Sequence, residues 1–126
     1  MKQYEFTKKF TLTEEDLIDL LCCCVEGGSS YWCCIDNDTS EWDEIRAELP
    51  DGTFEDRFWG ILKKGQKVRL IDQEDDGVYH MSLNDYLKGI QLAIDNADWN
   101  GDIDTADGIV GDVVFQYALF DNVIYG

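Results

Sequence analysis

Residues 67–83, KVRLIDQEDDGVYHMSL, decide the class of fold. Two runs of β-forming side chains, KVRLID at 67–72 and VYHMSL at 78–83, flank Glu74-Asp75-Asp76-Gly77, residue types that reverse a chain. The spacing predicts a β-hairpin. Working backward, residues 53–63 predict a helical piece, and a short helix at 41–48 precedes the turn residues Pro50-Asp51-Gly52. Working forward, Asn84 is placed to cap a helix running to about Asp95, with Tyr86, Leu87, Ile90, Leu92 and Ile94 as its apolar positions. A polar loop then leads to a last helix starting near Thr105, and the tail VIYG reads as a short strand.

On the other side, residues 3–12 (QYEFTKKFTL) read as a strand. Thr13 is a candidate N-cap, followed by Glu14, Glu15 and Asp16 where the helix dipole favours anions. That helix is expected to reach about Glu26 and stop at Gly27-Gly28. Residues 30–35 (SYWCCI) fit a buried strand or more helix equally well. The expectation is an α+β fold: a small antiparallel sheet of three or four strands, including the 67–83 hairpin, packed with three or four helices. Residues 1–126 read as one compact acidic domain with no internal repeat.

Leu, Ile, Val and Phe make up 34 of the 126 residues, enough apolar surface to support a core despite the charge. No apolar run is long enough for a membrane span, and MKQYEFTKKF lacks the apolar stretch of a signal peptide, so a cytoplasmic location is expected. With 27 acidic against 10 basic side chains, the net charge is −17. Such a surface repels phosphates, which excludes nucleic acid as a direct ligand.

The charge is also unevenly spread. Residues 36–56 hold nine acids and one base, Arg46; from residue 89 onward there are seven Asp and no Lys or Arg. Duplex DNA carries one charge per roughly 1.7 Å of axis, so 17 charges match about 29 Å of duplex. A domain of this length is roughly 36 Å across, a comparable charge density. The chain can therefore compete with nucleic acid for a Lys/Arg-lined channel. The acids Asp36, Asp38, Glu41, Asp43, Glu44 and Glu48, or alternatively the acidic C-terminal third, are the candidate contact face. Any of Trp32, Trp42, Trp59 and Trp99 that is exposed would supply an apolar hot spot there. The competing reading is a plain solvated surface.

Residues 96–107 bear on calcium. Asn96, Asp98, Asn100, Asp102 (through its backbone carbonyl), Asp104 and Asp107 fall in the register of a twelve-residue EF-hand loop, with Gly101 at the sharp turn and Ile103 in the apolar slot. Asn96 in place of a charged first ligand and Asp107 in place of a bidentate Glu both lower the expected affinity. The alternative is an Asx-rich interhelical turn.

Five cysteines occur as a triplet, Cys22-Cys23-Cys24, and a doublet, Cys33-Cys34. Successive helical residues point about 100° apart, so the triplet cannot converge on one metal. Semi-buried thiols packed as small hydrophobes are expected, with zinc held by one Cys from each cluster as the alternative. His80 is the only histidine, and no orienting motif surrounds it. No nucleophile elbow, phosphate loop or metalloprotease motif is present, and a non-enzymatic protein is expected.

Three stretches are more particular than composition: Glu26-Gly27-Gly28-Ser29-Ser30-Tyr31-Trp32, Leu87-Lys88-Gly89-Ile90-Gln91, and Gln116-Tyr117-Ala118-Leu119-Phe120 with Val123-Ile124-Tyr125-Gly126. In these the chain resembles a group of small acidic, mostly uncharacterised proteins of phages, prophages and mobile elements of Gram-positive bacteria, along nearly its whole length. The cysteine runs are not features of that group, and no catalytic residue is carried over from it. Small acidic proteins of such elements are often similar to anti-defence factors of the anti-CRISPR or anti-restriction type. The resemblance thus implies an inhibitor whose partner is a basic nucleic-acid-binding host protein, a CRISPR effector or restriction nuclease. A calcium-stabilised interaction module centred on 96–107 is the alternative, and a virion or lysogeny accessory protein with neither property is a third.

Overall fold

The computed structural model describes residues 1–7 and 9–126. Among these, five helices and a three-stranded antiparallel sheet form an α+β fold. The helices are α1 (Glu14–Cys23), α2 (Ser40–Glu48), α3 (Phe54–Lys63), α4 (Leu83–Asp95) and α5 (Gly108–Phe120); the strands are β1 (Cys33–Ile35), β2 (Val68–Asp72) and β3 (Val78–Met81).

The hairpin forms where its alternation places it, with Leu70 opposite Tyr79 and Val68 opposite Met81. Its turn is held by carboxylates: Asp72 accepts from the Glu74 backbone N–H at 2.9 Å, and Asp75 from that of Gly77 at 2.8 Å. β1 completes the sheet by pairing with β2, Cys34 opposite Ile71, so 33–35 of the ambiguous 30–35 segment are strand and 30–32 form the turn before it.

Thr13 caps α1 as expected, in a reciprocal box with Asp16. Regular helix ends at Cys23, and within the widened turn Cys24–Gly28 that follows, Gly27 at φ +86 turns the chain away. α4 starts before Asn84. Ser82 and Asp85 cap each other's backbone N–H, so the Ser-x-x-Asp box fixes the start and Asn84 lies inside the helix. α5 begins later than Thr105: a single tight turn at Ile103–Thr105 comes first, and Asp107 then caps the Val110 N–H.

Two expected strands do not form among the described residues. Residues 3–7 and 9–12 carry no ladder, and Lys8 lies outside the described residues. The segment's anchors settle elsewhere: Phe10 lies against Gly101, and Phe10 and Leu12 line a groove with Leu87, Ile90 and Ile94 of α4. The VIYG tail is no strand either, because a side chain takes its hydrogen bonds. The fully buried Gln116 carboxamide accepts from the backbone N–H groups of Ile124 and Tyr125 at 2.8 Å each and donates to the Tyr125 carbonyl at 3.2 Å.

α5 is the centre of the molecule. It is apolar nearly all round, as a helix enclosed on several sides must be, burying Val110, Val114, Phe115, Tyr117 and Ala118 against α4, α1 and the 24–28 turn. Gly111 makes the last contact possible: a Cβ there would stand 2.6 Å from the backbone at Cys23 and Cys24. Trp32, Trp42, Phe58 and Tyr86 are buried in the same core.

The carboxylates nearest this core are met by neutral donors. Tyr31, Tyr117 and Tyr125 donate hydroxyls to Asp112, Asp98 and Asp72, each at 2.6 Å. The Tyr31 phenol is pushed up to about 12, first by burial and then by Asp112. Tyr117 is also pushed up to about 12, first by its bond to Asp98, and Tyr125 is raised by its bond to Asp72. An unfolded tyrosine titrates near ~10. Since the folded values are raised, this stabilisation is complete below about pH 10 and is lost as pH climbs from there through about 12. Tyr117→Phe should therefore lose less stability than the parent across that window, read from urea midpoints below and inside it. An equal loss in both proteins would mean that the Tyr117–Asp98 bond does not contribute.

Candidate acidic interface

Folding redistributes the charge that the linear sequence displays. Of the six expected contact acids, four are ion-paired: Asp36 with Arg69, Asp43 with Arg46 at 3.3 Å, and Glu44 and Glu48 with Lys64 at 3.5 and 2.7 Å. Arg69 and the Asp38 backbone N–H both bond to Asp36 and hold its carboxyl below the usual range. Glu44 is lowered by Gln66 and Lys64. Asp38 and Glu41 make no ion pair, although Glu41 is only partly exposed. The densest acidic run is thus also where β2 and α3 deliver bases. Such solvent-screened pairs add little stability, but they cancel local field.

The C-terminal third keeps its charge. Lys88, the last base, pairs with Asp121 at 2.8 Å. Asp95, Asp98, Asp102, Asp104 and Asp107 are all exposed, and no ion pair among the described residues involves them. Glu74, Asp75 and Asp76 at the hairpin turn are exposed and unpaired in the same way. Eight of the exposed acids that no ion pair among the described residues involves lie in two short segments, 74–76 and 95–107; others, including Asp19, Glu26 and Asp51, lie elsewhere.

The 96–107 loop spends its oxygens internally. Asn96 donates to the Leu92 carbonyl at 2.8 Å, and Asp98 accepts from Tyr117. Asn100 accepts from the Asp102 N–H at 2.9 Å and the Thr105 hydroxyl at 3.0 Å. Asp102 caps the Asp104 N–H, and its backbone carbonyl, the expected calcium ligand, already accepts from Trp99 Nε1 at 3.1 Å and Thr105 Oγ1 at 2.7 Å. No three of Asp98, Asp102, Asp104 and Asp107 bring carboxylate oxygens within 4.8 Å of one another. As folded, this donor set does not fit a calcium shell; it is a self-capped turn between α4 and α5.

All four tryptophans are buried, at 7% exposure or less, so none serves as a surface hot spot. The indoles were needed inside: Trp42 stacks on Phe54 with centroids 4.8 Å apart, and Trp32 sits 5.2 Å from Phe120. The cysteines are free thiols, Cys24 and Cys33 buried, Cys22 and Cys23 partly so, and Cys34 exposed. Burial pushes Cys33 up to about 12. Cys22 rises to about 11, by burial first and then through its hydrogen bond with Glu26 and the charges of Glu55 and Glu26. The Cys22 sulfur and the Glu26 and Glu55 carboxylates lie within 4.8 Å of one another, the only such group among the described residues, and it joins no cysteine of one run to the other. His80 is exposed on β3, opposite Arg69.

Sequence reasoning missed Asp112. This half-buried carboxylate accepts from Ser29 Oγ at 3.2 Å, Tyr31 OH at 2.6 Å and Trp32 Nε1 at 2.7 Å. Ser29, Tyr31 and Trp32 all belong to the EGGSSYW stretch, so that motif is the binding partner of α5. Its polar spacing was visible; the acceptor 80 residues away was not.

Calcium would have to draw the loop's separated carboxylates together to be held there. Melting curves in Ca²⁺ and in chelator should superimpose; a Ca²⁺-dependent rise that Asp98→Ala abolishes would instead make the loop a calcium clip. No protein-family model, curated protein or solved structure matches this chain.

Proposed function

We propose that this chain is a phage- or mobile-element-encoded inhibitor of a host nucleic-acid-binding defence nuclease, of the anti-CRISPR or anti-restriction type, presenting carboxylates where the nuclease expects phosphates. It acts by binding and performs no catalysis. The observation that carries the reading is the run from residue 89 to 126, with seven aspartates, no Lys or Arg, and, among the described residues, only Asp121 ion-paired.

A basic channel attracts such a surface at long range. Steering raises association rates by roughly 10–1,000-fold and weakens steeply with salt. The working face in this proposal is the pair of loops 74–76 and 95–107, in preference to the ion-paired residues 36–48. Carboxylates already bridged by Lys64, Arg46 and Arg69 have less field to offer a partner's Lys and Arg.

The test compares two triple variants of equal charge. Glu74→Lys, Asp95→Lys and Asp104→Lys together change the net charge by three times two, from −17 to −11. Asp43→Lys, Glu44→Lys and Glu48→Lys make the same change. The immobilised parent should retain a nucleic-acid-binding nuclease from a Gram-positive host lysate at low salt and release it at high salt. The loop variant should bind that nuclease on the order of 100-fold more weakly, and the 43–48 variant should lose less. Undiminished binding by both folded variants would remove the electrostatic mechanism.

A further inference from the structure

Beside Asp112 lies an open cleft of about 650 Å³ between the 27–31 segment, the first turn of α5 and the tail at 123–126. Its lining combines features that rarely occur together. Tyr31 and Ile109 are 51% and 77% exposed, although both are large and apolar. Val113, Val123 and Tyr125 extend that apolar wall. Two carboxylates, Asp107 and Asp112, face the same space, and no Lys, Arg or His lines it.

The three donors on Asp112 are neutral, so its negative charge is not cancelled. Two of them use Oδ1 and one uses Oδ2. A carboxylate offers about four lone-pair positions, which leaves one on Oδ2. Asp107 spends Oδ1 on the Val110 N–H, and among the described residues no hydrogen bond or ion pair uses its Oδ2. Gly27, where a Cβ would meet nothing within 4 Å, contributes a wall without a side chain, while Gly28 and Gly108 pack backbone against backbone beside it.

We propose that this cleft receives an arginine side chain of the basic partner, its stem along Ile109 and Val113 and its guanidinium against Asp112 and Asp107. The inference rests on the decoy reading above and deepens it. The exposed loops supply long-range, salt-sensitive attraction, and the cleft supplies the fixed anchor that gives register. Arginine fits better than lysine. Its planar, weakly hydrated head stacks on aromatic faces, here Tyr31 and Tyr125, and offers several N–H donors to two separate acceptors. An ammonium is a strongly hydrated point charge that gains little from those walls.

The experiment titrates isotope-labelled full-length protein with hexa-arginine and hexa-lysine peptides, followed by amide and indole NMR. Hexa-arginine should bind at least about fivefold more tightly than hexa-lysine, with the largest shifts at the Trp32 indole N–H and the amides of Gly27, Gly28 and Gly108. Ile109→Lys and Glu15→Gln each take the charge from −17 to −16 and alter only an exposed side chain. The first should weaken hexa-arginine about tenfold and the second less than twofold. Equal affinity for both peptides, shifts spread over 74–76 and 95–107, and no difference between the variants would overturn the cleft while leaving the decoy reading standing. Absence of binding by either peptide at low salt would overturn both.

Discussion

The structure depends on carboxylates beside the core being satisfied by neutral donors. With 27 acids and 10 bases, there are too few cations to pair every carboxylate, and an unpartnered buried polar group costs about 1–3 kcal/mol. Tyrosine hydroxyls, an indole N–H and a serine hydroxyl take that role. Asp112 ties the 29–32 segment to α5, Asp72 ties the hairpin to the tail through Tyr125, and Asp98 ties the interhelical loop to Tyr117. Gln116 completes the set by holding the tail's backbone. At these positions the chain holds its fold with neutral donors and keeps the carboxylates' charge.

That arrangement has an electrostatic consequence. Most of the available cations gather around α2, α3 and β2, where Arg46, Lys64 and Arg69 each meet a carboxylate and Arg57 donates to the carbonyls of Leu49 and Pro50. At the α4–α5 loop and the hairpin turn, no ion pair among the described residues neutralises the carboxylates. Folding thus sharpens an asymmetry that is only partly visible in linear order, and the resulting field is what the proposed function draws on.

Local signals were legible where one short window contains both partners of an interaction. The Thr13–Asp16 box, the 74–77 turn and the alternation of 68–71 each specify their geometry within a few residues. The start of α4 was misplaced by two residues because Asn84 is as good a cap by type as Ser82, and only the Asp85 reciprocal bond decides between them. The strand expected at 3–12 and that at the tail failed for a different reason. Alternation states that a segment can be extended but not whether an edge exists to receive it; Phe10 found Gly101, and the tail found Gln116. The EF-hand register likewise rested on residue types, and those same types serve equally as turn caps. For the candidate interface, acid density along the chain pointed first to 36–48, because Lys64 and Arg69 join that patch only through tertiary packing.

The central claim is that the carboxylate face takes the place of nucleic acid on its partner. The most direct measurement is competition: a labelled DNA or RNA ligand is bound to the nuclease that the immobilised protein retains, and increasing amounts of the free protein are added. The account predicts complete, mutually exclusive displacement, with an apparent affinity that falls as salt rises. A stable ternary complex of nuclease, nucleic acid and protein would contradict it.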